Sequence, residues 1–261
     1  WEADLRVNEP RVPYRFAIRT KEVVWWLNAA GIGQGVPFSL FDFKLLADTP
    51  AIPWLESSVF YQIFPDRFEN GDPSNDPHNE AIPYRNWRRQ TFPWGQPAPR
   101  EAGLLPFYGG DLAGITQRLG YLERLGVNAL YLNPIFSAYT NHRYDVADYT
   151  HVDPVLGGDE ALQALSEAFA RHGMRYILDI VPNHCGIGHP WFQTAKADPA
   201  SPEREYFFFG ESPEEYVSWL GFGSLPKLNY ASQRLRELMY RGEESIMRRW
   251  LRAPWNASGW R

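Results

Sequence analysis

The spacing of hydrophobic and polar residues changes period along the chain, and those changes predict its elements. Over residues 1–47 the period is two. Tyr14, Phe16 and Ile18 alternate with polar or small residues, Val23 to Leu27 is a β-branched and aromatic run, and Phe38 to Leu46 alternates again. Gly31-Ile32-Gly33-Gln34-Gly35 is expected to turn the chain between the last two of these strands. Three or four such strands predict the second half of a β-sandwich. A linker is expected over 48–56, opening with Asp48-Thr49-Pro50-Ala51-Ile52-Pro53.

From residue 57, strand and helix patterns alternate, which predicts a parallel sheet with helical crossovers. Strand one is expected near Val59 to Phe64. Ile115, Leu119, Leu122 and Leu125 recur at helical spacing before Gly126, and strand two follows at Ala129 to Leu132. A second helix is expected over Asp159 to Arg171, with Leu162, Leu165 and Phe169 on one face, and strand three over Arg175 to Ile180. Residues 57–184 thus read as the first βα units. Residues 185–229 show no period, are rich in Pro, Gly and aromatics, and read as an inserted subdomain, since segments that long are usually functional. In 230–261 a long helix is expected from Ser232 to Leu251, with a fourth strand beginning at Gly259-Trp260-Arg261.

Three and a half βα units stand where a closed (β/α)8 barrel has eight. The expected fold class is therefore α/β, a partial (β/α)8 TIM barrel behind a β-sandwich remnant. A partial barrel leaves a strand edge and apolar side chains to be covered by a second copy or by the other half-barrel.

Composition narrows the function classes. The 261 residues are 44% hydrophobic and 22% charged, enough apolar material for a full core. No stretch approaches the ~18 apolar residues of a membrane span. The net charge is −5 and the basic residues are scattered, so nothing resembles a nucleic-acid footprint. Cys185 is the single cysteine, which excludes an internal disulfide and fits a reducing, cytoplasmic compartment. The chain opens on Trp1, so the original N-terminus is expected to lie upstream. The aromatic content, 16% with 11 Trp, suits sugar recognition, because flat rings cover the apolar faces of pyranoses. Trp25, Trp26, Trp87, Trp94 and Trp191 are the candidate platforms, each weighed against an ordinary packing role.

Two constellations carry chemistry. The apolar run from Tyr176 ends in Asp179-Ile180-Val181-Pro182-Asn183-His184, the polar cluster expected where a buried parallel strand reaches the active face of a barrel. Read alone, it could equally be a strand followed by an Asn/His turn. Asn70-Gly71-Asp72-Pro73-Ser74-Asn75-Asp76 offers hard oxygen ligands in a Gly/Pro-shaped loop. It lacks the glycine and glutamate positions of an EF-hand, and spacing alone favours an Asx-rich turn. His184, Cys185 and His189 lack an evident fourth ligand for zinc.

Five segments in order, Val59 to Phe68, Gly126 to Phe136, Tyr144-Asp145-Val146-Ala147-Asp148-Tyr149, Leu178 to His184 and Leu225-Pro226-Lys227-Leu228-Asn229, together resemble the α-amylase family of retaining glycoside hydrolases. Leu225 to Asn229 and the ending Trp250 to Asn256 are similar to its neopullulanase, cyclomaltodextrinase and maltodextrin glucosidase group, with maltodextrin glucosidase nearest. The resemblance implies cleavage of α-1,4-glucosidic bonds of maltodextrins by double displacement. It implies that His184 hydrogen-bonds the glucose at the cleaved bond, that Tyr144 stacks beneath it and that Asp145 anchors its far hydroxyl. It implies that Arg261, held by Asp179, pairs with a nucleophilic Asp two positions further on, with the acid on the next strand. The read on Asp179 and Arg261 without the family is an ordinary buried ion pair. No acidic pair within the chain replaces those two carboxyl groups, so residues 1–261 alone are expected to bind sugar without turning it over. The resemblance also implies structural calcium at Asn70, Asp72, Asn75, Asp76, Gly109 and Asp111. The competing expectation is a non-catalytic carbohydrate-binding or interaction module.

Overall fold

The computed structural model describes residues 6–47, 50–82, 87–98, 100, 103 and 105–261, and the chain divides into two units, 1–57 and 58–261. In the first unit, β1 (Arg11–Tyr14), β2 (Phe16–Arg19), β3 (Val24–Asn28), β4 (Gly31–Gly33) and β5 (Phe43–Leu46) are followed by the short helix α1 (Pro53–Glu56). β1 pairs with β5, and β2, β3 and β4 form a second sheet, all antiparallel. The glycine-rich segment is not the turn expected from its composition. Gly31–Gly33 is itself the strand β4, paired to Trp26–Asn28, and the reversal falls on Ala29 and Ala30. Asn28 makes that turn by accepting the Ala30 N–H on its side-chain oxygen, at 3.0 Å. The alternation from Phe38 also shortens to Phe43–Leu46, because Ser39–Phe41 is a 3₁₀ turn.

The second unit begins with β6 (Phe60–Ile63), then the short strands β7 (Ala81–Ile82), β8 (Trp87–Arg88), β9 (Gln90–Thr91) and β10 (Pro106–Phe107). α2 (Leu112–Gln117) and α3 (Leu119–Arg124) lead to β11 (Ala129–Leu132), the antiparallel pair β12 (Phe136–Ala138) and β13 (Val146–Val152), helix α4 (Gly158–Arg171) and β14 (Arg175–Leu178). β6, β11 and β14 form a parallel sheet in that spatial order, with Gln62, Tyr131 and Ile177 in one register row and Ile63, Leu132 and Leu178 in the next. A parallel bridge from Leu178 to Trp260 adds the start of a fourth strand.

The two faces of this sheet differ. Ile63, Leu130, Leu132, Tyr176 and Leu178 are buried within the core cluster to which Ile115, Leu119, Leu122, Leu162, Leu165 and Phe169 of the helices contribute. Phe169 stacks on Tyr176 at 4.9 Å. Each such side chain contributes roughly 1.5–3 kcal/mol by leaving water. On the opposite face Phe60, Gln62 and Arg175 are exposed and Tyr131 and Ile177 half-buried.

Two helix expectations are corrected. The Ile115 to Leu125 helix is two short helices that meet at Arg118, and Leu125 is 53% exposed instead of joining the apolar face. The helix expected from Ser232 to Leu251 is broken. α5 (Pro190–Ala197) precedes it in the inserted segment, then α6 (Gln233–Arg236) runs into a π-helical turn over Glu237–Arg241, and α7 (Ile246–Leu251) restarts after Gly242. Leu235, Met239, Ile246 and Trp250 are all buried, so the apolar stripe continues across a backbone that does not. Between 185 and 229 the chain packs Phe192, Phe207, Phe209 and Tyr216 together, and the bridge from His184 to Lys227 and the bond from Leu228 N–H to the Asn183 carbonyl at 3.0 Å tie it to the strand tip.

Candidate active site

β14 ends at Leu178, and period-two alternation turns the next side chain, Asp179, to the sheet face opposite the helices. Main-chain bonds from Leu178 N–H to the Gly259 carbonyl (3.1 Å), from Arg261 N–H to the Leu178 carbonyl (2.8 Å) and from Ile180 N–H to the Arg261 carbonyl (3.1 Å) hold Arg261 alongside. Its guanidinium reaches 3.5 Å from Asp179 Oδ2 and lies 5.8 Å from the centre of the Tyr131 ring. Asp179 is buried, whereas Arg261 is exposed, so this is not the fully buried ion pair weighed against a functional role. The same Oδ2 accepts the hydroxyls of Tyr131 and of Tyr144, the latter at 2.7 Å. Asp179 Oδ1 is buried without a partner. Burial first, then the bond to Asp179, raises the pKa of both tyrosines, which therefore stay protonated donors.

Sequence reasoning gave Tyr131 no role. The available signal was a polar-tipped ring in the row Ala129-Leu130-Tyr131-Leu132, on the side away from the helices.

Tyr144 and Asp145 follow a loop anchored by Arg143, which is buried and left-handed at φ +57°. Arg143 donates to Asp153 at 2.8 Å and to the Asn141 carbonyl at 2.9 Å, and these bonds hold a conformation that L residues seldom adopt. The Tyr144 N–H donates to His142 Nδ1 at 2.9 Å. Asp145 is buried and accepts from the Thr140 hydroxyl and from the N–H groups of Tyr139 (3.2 Å) and Thr140 (3.4 Å). Burial raises its pKa, partly offset by the Thr140 bond.

His184 lies beyond the strand tip, its carbonyl accepting the Tyr149 hydroxyl at 2.9 Å. Asn183 Nδ2 is 3.1 Å from His184 Nδ1, and His184 Nε2 is buried without a partner. Burial lowers the imidazole pKa, so the ring is neutral near pH 7. Such a ring can donate from one nitrogen and accept at the other, as an uncharged hydroxyl demands.

Asn70, Asp72, Asn75, Asp76, Gly109 and Asp111 come together at the N-terminal end of α2. Asp111 is its N-cap, and its carboxylate accepts from the N–H groups of Gly71, Asp72 and Gly114 and from Asn75 Nδ2, all between 2.6 and 3.0 Å. Those four bonds use the carboxylate fully, and Asp72 turns outward to cap Ser74. The oxygens left for a cation belong to two amides and to the Asp76 carboxyl group. Asn70 Oδ1 and Asn75 Oδ1 are both buried without a partner, while their amide nitrogens are held by Asp76 (2.8 Å) and Asp111 (2.9 Å). Asp76 has its pKa raised, first by burial. Gly109 has φ +77°, and a Cβ there would lie 2.3 Å from Asp76 Oδ1, so only glycine closes the cradle. Two orphaned amide oxygens and a carboxylate fit a hard, oxygen-loving cation. No cluster of three or more His, Cys, Asp or Glu suited to a metal occurs among the described residues.

The tryptophan candidates separate. Trp191 stacks on Tyr149 at 5.9 Å and faces the core. Trp25 and Trp26 are half-buried in β3, Trp94 is exposed against Tyr108, and the Trp87 side chain lies outside the described residues.

Residues 62–261 match the family model described as the alpha amylase catalytic domain. The chain is 38% identical over 226 residues to an intracellular maltogenic amylase of Bacillus subtilis, covering 85% of this chain and 35% of that one. It is 36% identical to neopullulanase 2 of Thermoactinomyces vulgaris, covering 100% and 44%. Among solved structures, a cyclic α-maltosyl-(1→6)-maltose hydrolase of Arthrobacter globiformis superposes with a TM-score of 0.67 at 38% identity, over 79% of this chain and 44% of that one. The chain spans less than half the length of these relatives. No helix among the described residues is long and apolar enough to cross a membrane.

Proposed function

The chain belongs to the α-amylase family, and from that premise we propose that it supplies the sugar-gripping part of a retaining glycoside hydrolase that cleaves α-1,4-glucosidic bonds of maltodextrins. The observation that carries this reading is the cluster at the tip of β14. One buried carboxylate, Asp179, gathers Tyr131, Tyr144 and Arg261, and His184 stands nearby with an unpaired Nε2.

In this reading Asp179 fixes the Arg261 guanidinium, which keeps a neighbouring nucleophilic carboxylate ionised. Tyr144, pinned through its hydroxyl, presents its ring to a glucosyl unit. His184 and Asp145 hold that unit's hydroxyls, with His184 neutral and Asp145 fixed by Thr140 and Tyr139. Retaining hydrolysis needs two carboxyl groups about 5 to 5.5 Å apart. By family resemblance these follow Arg261 and lie on the next strand, and the residues described here bind and orient.

The parallel sheet is read as the opening strands of a (β/α)8 barrel, a reading supported by its half-covered second face, and the first unit as part of a β-sandwich. Calcium is proposed to bind Asn70 Oδ1, Asn75 Oδ1, Asp76 and the Gly109 carbonyl. When bound it would neutralise the half-buried carboxylate of Asp76 and pin the loop after β6, a structural role. Glucose or maltose released from maltotriose by the full-length protein, and none from cellobiose, supports the hydrolase reading. No release from any α-glucan refutes it.

A further inference from the structure

The inserted segment carries a row of rings that sequence reasoning did not single out. The Trp219 ring lies 5.5 Å from that of His184, tilted by 33°, and Phe222 stacks 5.8 Å beyond Trp219, tilted by 27°. The row runs from a buried imidazole into solvent: Trp219 is 42% and Phe222 56% exposed. A few residues away, Phe207 and Phe209 of the same segment are packed into the aromatic cluster around Phe192. Trp219 and Phe222 stay outside it.

Their position is fixed by the backbone. Trp219 N–H donates to the Leu225 carbonyl, Phe222 N–H to the Trp219 carbonyl and Leu225 N–H to the Phe222 carbonyl, each at 2.9 Å. The base of this loop is tied to the strand tip, since Lys227 N–H donates to the Val217 carbonyl at 2.9 Å and Lys227 bridges to His184. Between the two rings, Leu220 at φ +49° and Gly221 at φ +82° are both left-handed. A left-handed Leu is uncommon and costly, and it persists where the surroundings impose it. Here the reversal returns Phe222 to the side of Trp219 and leaves Leu220 77% exposed.

We propose that Trp219 and Phe222 form a platform for glucosyl units of an α-1,4-glucan outside the two units joined by the cleaved bond. This rests on the hydrolase reading and deepens it. Aromatic faces match the C–H faces of pyranoses, and the row begins at the imidazole assigned to a glucosyl unit. Continuity with His184 selects the sugar as occupant, because a glucan seated at that imidazole has the exposed rings of Trp219 and Phe222 directly beside it.

The test is kcat/KM of the full-length protein on maltose through maltohexaose for wild type, Trp219→Ala, Trp219→Phe and Phe222→Ala. Trp219→Ala is expected to lower kcat/KM about tenfold on the longer substrates, equivalent to about 1.4 kcal/mol, mainly through KM. The expected change on maltose is less than about twofold, the loss should be largely restored by Trp219→Phe, and Tm should stay unchanged. A wild type active on maltodextrins with an equal loss at every length, or no loss, overturns the platform alone. Altered sedimentation of Trp219→Ala without altered length dependence also overturns it, by assigning the surface to contact between copies. A wild type inactive on every maltodextrin overturns the hydrolase reading and the platform with it.

Discussion

Tyr144 and Asp179 are joined by a 2.7 Å hydrogen bond across 35 positions of sequence, on the same carboxylate oxygen that accepts the Tyr131 hydroxyl. Two neutral donors share one buried oxygen, and they fix where Arg261 finds its partner. The second oxygen, Oδ1, has no donor among the described residues.

Tyr131→Phe removes one donor from that charge and leaves Tyr144 and Arg261 in place. Such a bond contributes about 1.5–3 kcal/mol, and the remaining partners place the expected loss of stability at the lower end. Turnover of maltotriose should fall about tenfold, a barrier increase of about 1.4 kcal/mol. Urea denaturation and kcat measure the two effects, and no change in either contradicts the role.

Asp179→Asn keeps the shape and removes the charge. Because Arg261 is exposed, their attraction adds little to stability, and the loss of about 1.5–3 kcal/mol expected from the fold comes from weakening the two tyrosine bonds. Function should suffer more, with kcat down on the order of 10²-fold as the guanidinium loses its orientation. A large loss of stability with kcat intact would make the pair structural.

The parallel sheet was legible because buried strands read as short apolar runs. β11 coincides with the predicted Ala129 to Leu132, and β6 lies within Val59 to Phe64. The broken helix after Ser232 was not. Leu235, Met239, Ile246 and Trp250 keep helical phase, so periodicity reports the buried stripe and is blind to the π turn and the restart beyond Gly242. At the candidate site, Asp179, Tyr144, Asp145 and His184 were named from motifs. Tyr131 and Trp219 were not named, because their placement beside Asp179 and His184 follows from sheet register and loop closure, neither of which is a local pattern.

His189 should make the fold acid-sensitive. It caps α5 by accepting the Trp191 N–H at 3.1 Å, and burial pulls its pKa from 6.5 down to about 4. As pH falls below about 6.5 the unfolded chain takes up this proton first, so stability drops until the folded ring protonates near 4. Between pH 7 and 5 the loss from this residue is about 2 kcal/mol. Asn also caps helices but does not titrate here. His189→Asn should therefore flatten the acid slope seen in urea denaturation at the two pH values, and an unchanged slope contradicts the assignment.

Chelation tests the oxygen cradle. At calcium a hundredfold above Kd, ligand binding should add about 2.7 kcal/mol of stability. EDTA should lower Tm, calcium should restore it, and Asn70→Ala or Asn75→Ala should abolish the response. Identical melting with EDTA and with calcium refutes the site.

The most direct test of the hydrolase assignment is the anomer released from maltotriose by the full-length protein, followed by proton NMR in the first minutes of reaction. Retaining double displacement on an α-bond predicts that the α-anomer appears first and mutarotates later. First appearance of the β-anomer, or no cleavage, would contradict the function assigned to the residues around Asp179.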